Sequence, residues 1–400
     1  MKVSLKTNII KKLYFDKEQS CNEMSLYFKK SVPVISKAVN ELIADGVVVE
    51  QGLAPSSGGR RPVMYSLKAN EMYLLTVAMD QLSTRIGMVD MQNNHVAETR
   101  MVELYLPDNS EALDKLVGLI NAYIADSGIP KSKILAVGIG MPGFINVNEG
   151  VNYSYLQTEG ESLVQYLERA TELTVHLDND SSLVALSELR FGIARSKRDA
   201  MVINLGWGIG LGMIIGGELF RGHNGFAGEL SHIPLSEDGA LCSCGKQGCL
   251  EAEASMLVVA QKAVEGIRNG RVSILQQTLN SKNESKLIGD ALMAAANKGD
   301  QYAIELLTEA GYKIGKALSI LIHIMNPECI ILSGRGALVG KILLAPIQQA
   351  LIKYCIPRLA ANTEVLISDL GFDGELIGAA VVAMENLNDE SKIIQEAVTH

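Results

Sequence analysis

Apolar positions over the first seventy residues recur at helical spacing. Ile9, Ile10, Leu13 and Tyr14 mark one helix between Lys6 and Asp16, and Met24, Tyr27 and Phe28 mark a short second one. Ser31 stands where an N-cap belongs and Pro33 falls in the first turn, where a missing N–H costs little. Ile35, Ala38, Val39, Leu42 and Ile43 then form a single stripe that Gly46 ends. The period next changes to two. Val47-Val48-Val49-Glu50 and Val63-Met64-Tyr65-Ser66-Leu67 flank a turn-rich stretch, Pro55-Ser56-Ser57-Gly58-Gly59-Arg60-Arg61-Pro62, and together predict a β-hairpin with a basic tip.

From Tyr73 onward the pattern is that of an α/β protein. Strand-like runs at Leu74–Asp80, Thr84–Asp90 and Val96–Glu103 predict a meander, followed by a helix over Ser110–Asp126 and a buried strand at Ile134–Gly140 that enters Met141-Pro142-Gly143. A second copy begins at Ala200, because Val77 with Val202, and Gly87-Met88 with Gly212-Met213, align at one common offset. A long helical stretch from Ser255 to Met325 leads to another strand, Cys329–Ser333, which runs into Gly334-Arg335-Gly336. Leu376-Ile377-Gly378-Ala379-Ala380 opens a closing helix. The expected organisation is a module over 1–70, a first α/β lobe over about 71–190 that also takes the C-terminal helix, and a second lobe over about 191–372. Duplicated lobes with glycine-bearing hairpins are the arrangement of the actin-like ATPase and sugar-kinase fold.

Composition supports a folded chain of more than one domain: 400 residues, 48% apolar, 20% charged, with 37 glycines and 10 prolines. The most apolar stretches, Ala200–Gly217 and Ala317–Gly334, are broken by glycines in one case and by His323, Asn326, Pro327 and Glu328 in the other, so neither reads as a membrane span. No secretory signal is recognisable at the start, which points to the cytoplasm. The net charge of −9 conceals an asymmetry: residues 1–70 carry 11 Lys/Arg against 6 Asp/Glu, a balance of +5, and the rest carries 25 against 39, or −14. A basic module on an acidic body suggests a polyanionic partner for the module. The helical face opposite its apolar stripe presents Pro33, Ser36, Lys37 and Asn40, side chains able to reach base edges in a major groove, and Arg60 and Arg61 at the hairpin tip suit phosphate contact. A three-helix protein-interaction module is the alternative.

Cys242-Ser243-Cys244-Gly245-Lys246-Gln247-Gly248-Cys249 places three thiols in one short loop, and His232 lies ten residues upstream. Three thiolates and one imidazole make a closed tetrahedral zinc site with no open position, so the metal would organise a loop rather than activate water. His223 competes with His232 for the fourth place.

The basic module, ending in Ser57-Gly58-Gly59-Arg60-Arg61-Pro62, resembles the winged helix-turn-helix DNA-binding domain of transcriptional repressors in the ROK family (repressor, open reading frame, kinase), such as those of the N-acetylglucosamine and xylose type. Gly225-Phe226-Ala227-Gly228-Glu229-Leu230-Ser231-His232, the cysteine loop and Leu250-Glu251 resemble the signature of that family closely. The resemblance implies that Glu229, His232 and Glu251 hydrogen-bond sugar hydroxyls. It also implies that Asn179 and Asp180, at the end of the strand Val175–Asn179, hold the positions of the Asn-Asp pair whose aspartate is the base in ROK kinases. Taken alone, such a pair before a helix is more often a cap. Gly140-Met141-Pro142-Gly143 resembles the loop that closes over the sugar, with Gly143 as a contact and Asn146 where an aspartate is common.

Phosphoryl transfer needs close backbone approach to ATP phosphates. The family's kinases have Asp-x-Gly-Gly-Thr in the first hairpin and Gly-Thr-Gly in the second. This chain reads Asp80-Gln81-Leu82-Ser83-Thr84 and Gly206-Trp207-Gly208, and these departures argue against bound ATP and magnesium. The resemblance therefore implies a sugar-responsive, DNA-binding repressor of carbohydrate-metabolism genes and not an enzyme, with a sugar or sugar phosphate as effector, structural zinc, operator DNA as partner and a homodimer or homotetramer to match a palindrome. Two alternatives stand beside it: an ATP-dependent, glucokinase-like sugar kinase with Asp180 as base, and a sugar-binding scaffold without DNA contact.

Overall fold

The computed structural model describes residues 3–54, 61–279 and 284–388, and of 284–287 the backbone. The chain divides into two compact units, Met1–Met79 with Ser83–Asp178 and Ala379–His400, and Asp80–Leu82 with Asn179–Gly378.

The first unit begins with α1 (Leu5–Asp16), β1 (Glu18–Ser20), α2 (Cys21–Phe28), α3 (Val32–Ala44), β2 (Val48–Leu53) and β3 (Val63–Leu67). The Ser4 hydroxyl caps α1 by accepting from Thr7 N, and Ser20 with Glu23 forms a capping box on α2. Ser31 has the extended backbone of an N-cap for α3, but its side chain makes no cap hydrogen bond. Ile9, Ile10, Leu13, Met24, Ile35, Val39 and Leu42 are buried together as the periodicity predicts. Tyr27 departs from that pattern: it is exposed, and its ring lies 3.7 Å beneath the Lys12 ammonium, a cation–π contact that a helical wheel cannot reveal. The predicted hairpin gains a third strand, order β1-β3-β2, all antiparallel. Its tip, with Arg60, lies outside the described residues.

The rest of this unit contains β4 (Tyr73–Met79), β5 (Ser83–Asp90), β6 (Arg100–Glu103), α4 (Ala112–Ser127), β7 (Ile134–Met141), β8 (Ile145–Asn146), β9 (Val151–Asn152), α5 (Leu163–Thr171) and β10 (Val175–Asn179). The five-stranded sheet runs β10-β7-β4-β5-β6. Hydrogen bonds join the first seventy residues to the remainder of the unit. Tyr14 Oη donates to Asn93 Oδ1 at 3.2 Å, Gln92 Nε2 to the Leu67 carbonyl at 2.8 Å, and Lys11 Nζ to the Glu385 carbonyl at 2.6 Å.

The second unit comprises α6 (Asp180–Phe191), β11 (Ala200–Leu205), β12 (Ile209–Ile215), β13 (Glu218–Phe220), α7 (Leu250–Ala254), α8 (Met256–Arg268), α9 (Gln276–Leu279), α10 (Glu284–Asn297), α11 (Gln301–Met325), β14 (Cys329–Ser333), α12 (Gly340–Tyr354), α13 (Pro357–Ala360), β15 (Glu364–Ile367) and the start of α14 (Gly374–Glu385). Its sheet runs β13-β12-β11-β14-β15. In chain order both large sheets therefore read 3-2-1-4-5, an antiparallel meander followed by two further strands, the first of them parallel to the opening strand in each sheet, which is the duplication that the shared offset anticipates. Helix α14 belongs to the second unit up to Gly378 and to the first from Ala379.

Small residues set the closest approaches. A Cβ on Gly138 of β7 would lie 1.8 Å from the Ala379 carbonyl oxygen, and one on Gly378 would lie 2.1 Å from that of Leu183 in α6. Among the described residues no helix is long and apolar enough to cross a membrane. The Ala317–Gly334 stretch is the end of α11 followed by β14, as its polar interruptions imply.

Candidate functional site

Strand β12 organises the chemistry of the second unit. Gly208, Gly210 and Gly212 alternate, so they share one face, and each is the point where another segment arrives. A Cβ on Gly208 would lie 2.7 Å from Glu251 Oε1, one on Gly210 would lie 1.8 Å from Ser181 Oγ, and one on Gly212 would lie 2.3 Å from the Ala185 side chain. From the intervening position, the Leu211 carbonyl oxygen lies where a Cβ on Gly228 would be, at 2.4 Å, and Gly228 also has a φ of +104°. Glycine is thus required immediately before Glu229. One short stretch of strand consequently touches the three segments that carry Asn179 and Asp180, Glu229 and Glu251.

Asn179 is the N-cap of α6: its Oδ1 accepts from Ser181 N at 2.9 Å and Ser182 N at 3.3 Å. Asp180 follows in the first turn, and its Oδ1 accepts from Ser181 N at 2.7 Å and Ser181 Oγ at 3.0 Å. Loss of hydration, reinforced by the charge of Glu375, raises the Asp180 pKa to about 7, against the pull of the Ser181 hydrogen bonds. Glu251, in the first turn of α7, accepts from Ile209 N at 2.8 Å, and burial raises it to about 7 as well. Burial also raises Glu229, which the neighbouring His232 partly offsets, with Oε2 3.8 Å from His232 Nε2.

The other ring nitrogen of His232 faces the thiols. The donor atoms of His232, Cys242, Cys244 and Cys249 all lie within 4.8 Å of one another, a group that could hold a metal ion, and His223 is exposed and outside it. A tetrahedral zinc site with metal–sulfur bonds of about 2.3 Å and a metal–nitrogen bond of about 2.0–2.1 Å has S···S edges of about 3.8 Å and S···N edges of about 3.6 Å. Cys244 Sγ to Cys249 Sγ is 3.7 Å and Cys242 Sγ to His232 Nδ1 is 3.6 Å, so the donor set fits. With Nδ1 committed to the thiol group, Nε2 is the atom left toward Glu229.

The β4–β5 and β11–β12 turns are filled by side chains. Leu82 is 7% exposed and Trp207 2%, and both belong to the large apolar core of the second unit. The Arg335 guanidinium carbon lies 4.6 Å from the Trp207 ring centroid and 4.3 Å from that of Phe372. Arg335 also pairs with Asp290 and approaches Asp80 Oδ2 at 3.9 Å. Asp290, Phe372 and Glu375 carry no local sequence signal, and the sequence reading missed all three. Each comes from a segment remote in the chain.

In the first unit, Gly143 has a φ of +104°, and a Cβ there would meet the Ser154 side chain at 2.7 Å. Phe144 N donates to Ser154 Oγ at 3.0 Å and Asn152 Nδ2 to the Pro142 carbonyl at 3.0 Å, which ties the loop to β9. Asn146 accepts from Glu149 N within its own turn. On α3, Pro33, Lys37 and Asn40 are exposed, but Ser36 is turned aside, with its hydroxyl donating to Cys21 Sγ at 3.6 Å. Arg61 Nε donates to the Ala54 carbonyl at 2.7 Å, at the base of the hairpin. Val32 and Val34, exposed on the first turns of α3, were not singled out from the sequence.

Comparison with known proteins agrees with this architecture. The ROK family profile matches residues 83–386, and the chain belongs to the ROK family. A glucokinase of Halalkalibacterium halodurans is 35% identical over 285 residues, 68% of this chain and 86% of the relative. The xylose repressor of Caldicellulosiruptor bescii is 28% identical over 393 residues, 95% of each chain. A crystal structure of a ROK family transcriptional regulator, a homologue of the Escherichia coli Mlc protein, superposes with a TM-score of 0.77 at 22% identity, covering 99% of this chain and 100% of that one, and shares its mixed α/β fold.

Proposed function

We propose that this protein is a transcriptional regulator that binds operator DNA through a winged helix-turn-helix formed by residues 1–70 and senses a sugar or sugar phosphate in its ROK domain. One observation carries the choice over a kinase: the turns where phosphate would need bare backbone hold the buried Leu82 and Trp207, with Arg335 stacked on the indole. Coverage supports it. The glucokinase likeness spans 68% of the chain, whereas the repressor likeness spans 95% and so must include most of the basic N-terminal module.

Asn179, Asp180, Glu229, His232, Glu251 and Gly143 are the proposed sugar contacts. Carboxylates accept from paired hydroxyls, and an imidazole held through Nδ1 presents Nε2 in one orientation. Zinc at His232, Cys242, Cys244 and Cys249 is structural in this reading and supplies loop order rather than chemistry. Lys37, Asn40 and Pro33 on α3, with Arg60 and Arg61 at the hairpin, are the proposed DNA contacts, and Ser36 supports α2 as well. A homodimer or homotetramer follows from the two-fold symmetry of most operators. The effector must favour one arrangement of the chain to alter DNA affinity. Helix α14 offers covalent continuity for that, since its C-terminal carbonyl at Glu385 holds Lys11 of α1.

A kinase reading is favoured by Asp180, an aspartate poised near neutrality at the head of α6, and by the 35% identity with a glucokinase. Fluorescence anisotropy on DNA upstream of the protein's own gene, with and without sugars across a salt series, tests the proposal. Salt-sensitive binding altered by one sugar is expected. Turnover of MgATP with a sugar, abolished by Asp180→Asn, would replace it with the kinase reading.

A further inference from the structure

The first turns of α3 expose Val32 at 40% and Val34 at 45%, on either side of Pro33, while the helix buries Ile35, Ala38, Val39 and Leu42 on its other face. β-Branched residues are poor choices for exposed helical positions, and the apolar packing of this module is completed by the opposite face without these two. The same outward surface carries the hydrogen-bonding groups of Lys37 and Asn40, Glu41 one turn beyond Lys37 is held by Lys6 at 3.1 Å, and α3 contains no arginine. The module as a whole is basic by five charges, 11 Lys/Arg against 6 Asp/Glu over residues 1–70 of the sequence, which favours a polyanionic occupant over an apolar protein surface.

A duplex major groove offers an apolar group at only one base, the C5-methyl of thymine, and an amide side chain pairs bidentately with adenine N6 and N7. We infer that α3 reads A·T pairs, with Val32, Pro33 and Val34 seated on thymine methyls and Asn40 on an adjacent adenine, so that the operator half-site is rich in A·T at its centre. This rests on the DNA-binding reading above and adds the chemistry by which sequence is chosen. Lys37 contributes affinity through phosphate rather than choice of base.

The test uses the full chain. Duplexes are selected from a random pool, and affinities are then measured for a selected duplex and for the same duplex with deoxyuridine in place of thymidine, which keeps every base pair and removes only the methyl groups. Enrichment of A·T pairs is expected, together with weaker binding of the uracil duplex by about fourfold per methyl contacted, the equivalent of ~0.8 kcal/mol for one buried CH2-sized group. Val34→Ala and Val32→Ala should bind the thymine duplex more weakly and lose the distinction between the two duplexes. Equal affinity of the unaltered chain for both duplexes, with salt-sensitive binding intact, overturns the inference and leaves the DNA-binding reading standing. Failure to bind any duplex in a salt-dependent way overturns both, and stoichiometric capture of a protein instead assigns the valines to that partner.

Discussion

The guanidinium of Arg335 lies over the indole of Trp207, 4.6 Å from the ring centroid, in the turn between β11 and β12. The pair is buried, and the ring centroid of Phe372 lies 4.3 Å from the same guanidinium carbon. A filled turn of this kind is part of the core, so removing it has a cost in stability. Trp207→Ala is expected to destabilise the protein by ~3–5 kcal/mol in urea denaturation. The unaltered chain is expected to show no rise in melting temperature with millimolar MgATP, and a rise of several degrees would mean that the turn is open.

Metal content gives a second expectation. The native chain should carry about one zinc, and Cys244→Ser should carry little, by atomic emission on purified protein. The loop from His232 to Cys249 should then lose order, lowering the melting temperature and weakening sugar binding by roughly tenfold or more. Chelator treatment of the unaltered chain should reproduce both effects.

The pH dependence of stability follows from Asp180. Its carboxyl shifts from the ordinary 3.8 to about 7 on folding, so between about pH 4 and pH 7 the folded chain holds a proton that the unfolded chain has released. Its contribution therefore falls as pH rises through that window. Asp180→Asn, which removes the charge and keeps the shape, should melt higher than the parent at pH 8, with the difference shrinking toward pH 4. A difference that grows on acidification would contradict the assignment.

Close packing around α14 predicts severe effects from very small changes. Gly378→Ala would press a methyl group on the Leu183 carbonyl, and Gly138→Ala would press one on that of Ala379. Each should cost ~1–3 kcal/mol or more, because the obstacle is backbone rather than a movable side chain. Gly160→Ala, with open space around its Cβ position but a φ of +80°, separates conformational strain from crowding. Chemical denaturation of the three variants measures the difference.

On the DNA-binding reading, Lys37→Ala should weaken binding of all duplexes alike and reduce the slope of log affinity against log salt by about 1. A change confined to one base position would instead place Lys37 on a base edge.

Much of the fold was legible along the chain. Helical stripes in α1 and α3, the hairpin strands, both meanders and the Cys-x-Cys cluster are local patterns, and periodicity reports them because each depends on neighbours three, four or two residues away. The glycines at 206, 208, 210 and 212 could be read as interruptions of an apolar run, but not as landing points for α6 and Glu251, since a missing Cβ says nothing about what approaches it. Ser31 and Ser36 show the converse error. Both are of the expected residue type at the expected place, yet one makes no cap hydrogen bond and the other turns toward Cys21.

By itself the sequence determined the classes of element, the duplication, the charge asymmetry and the metal-binding residue types, all of which are properties of composition and spacing. Only the tertiary structure decided that His232 rather than His223 faces the thiols, that Glu251 is tied to Ile209 N, and that Arg335 is clasped by Trp207, Phe372 and Asp290. The reason is distance along the chain. These contacts join segments from ten to more than a hundred residues apart, and which of several chemically suitable partners meets a given side chain is set by how strands and helices pack, which no local pattern encodes.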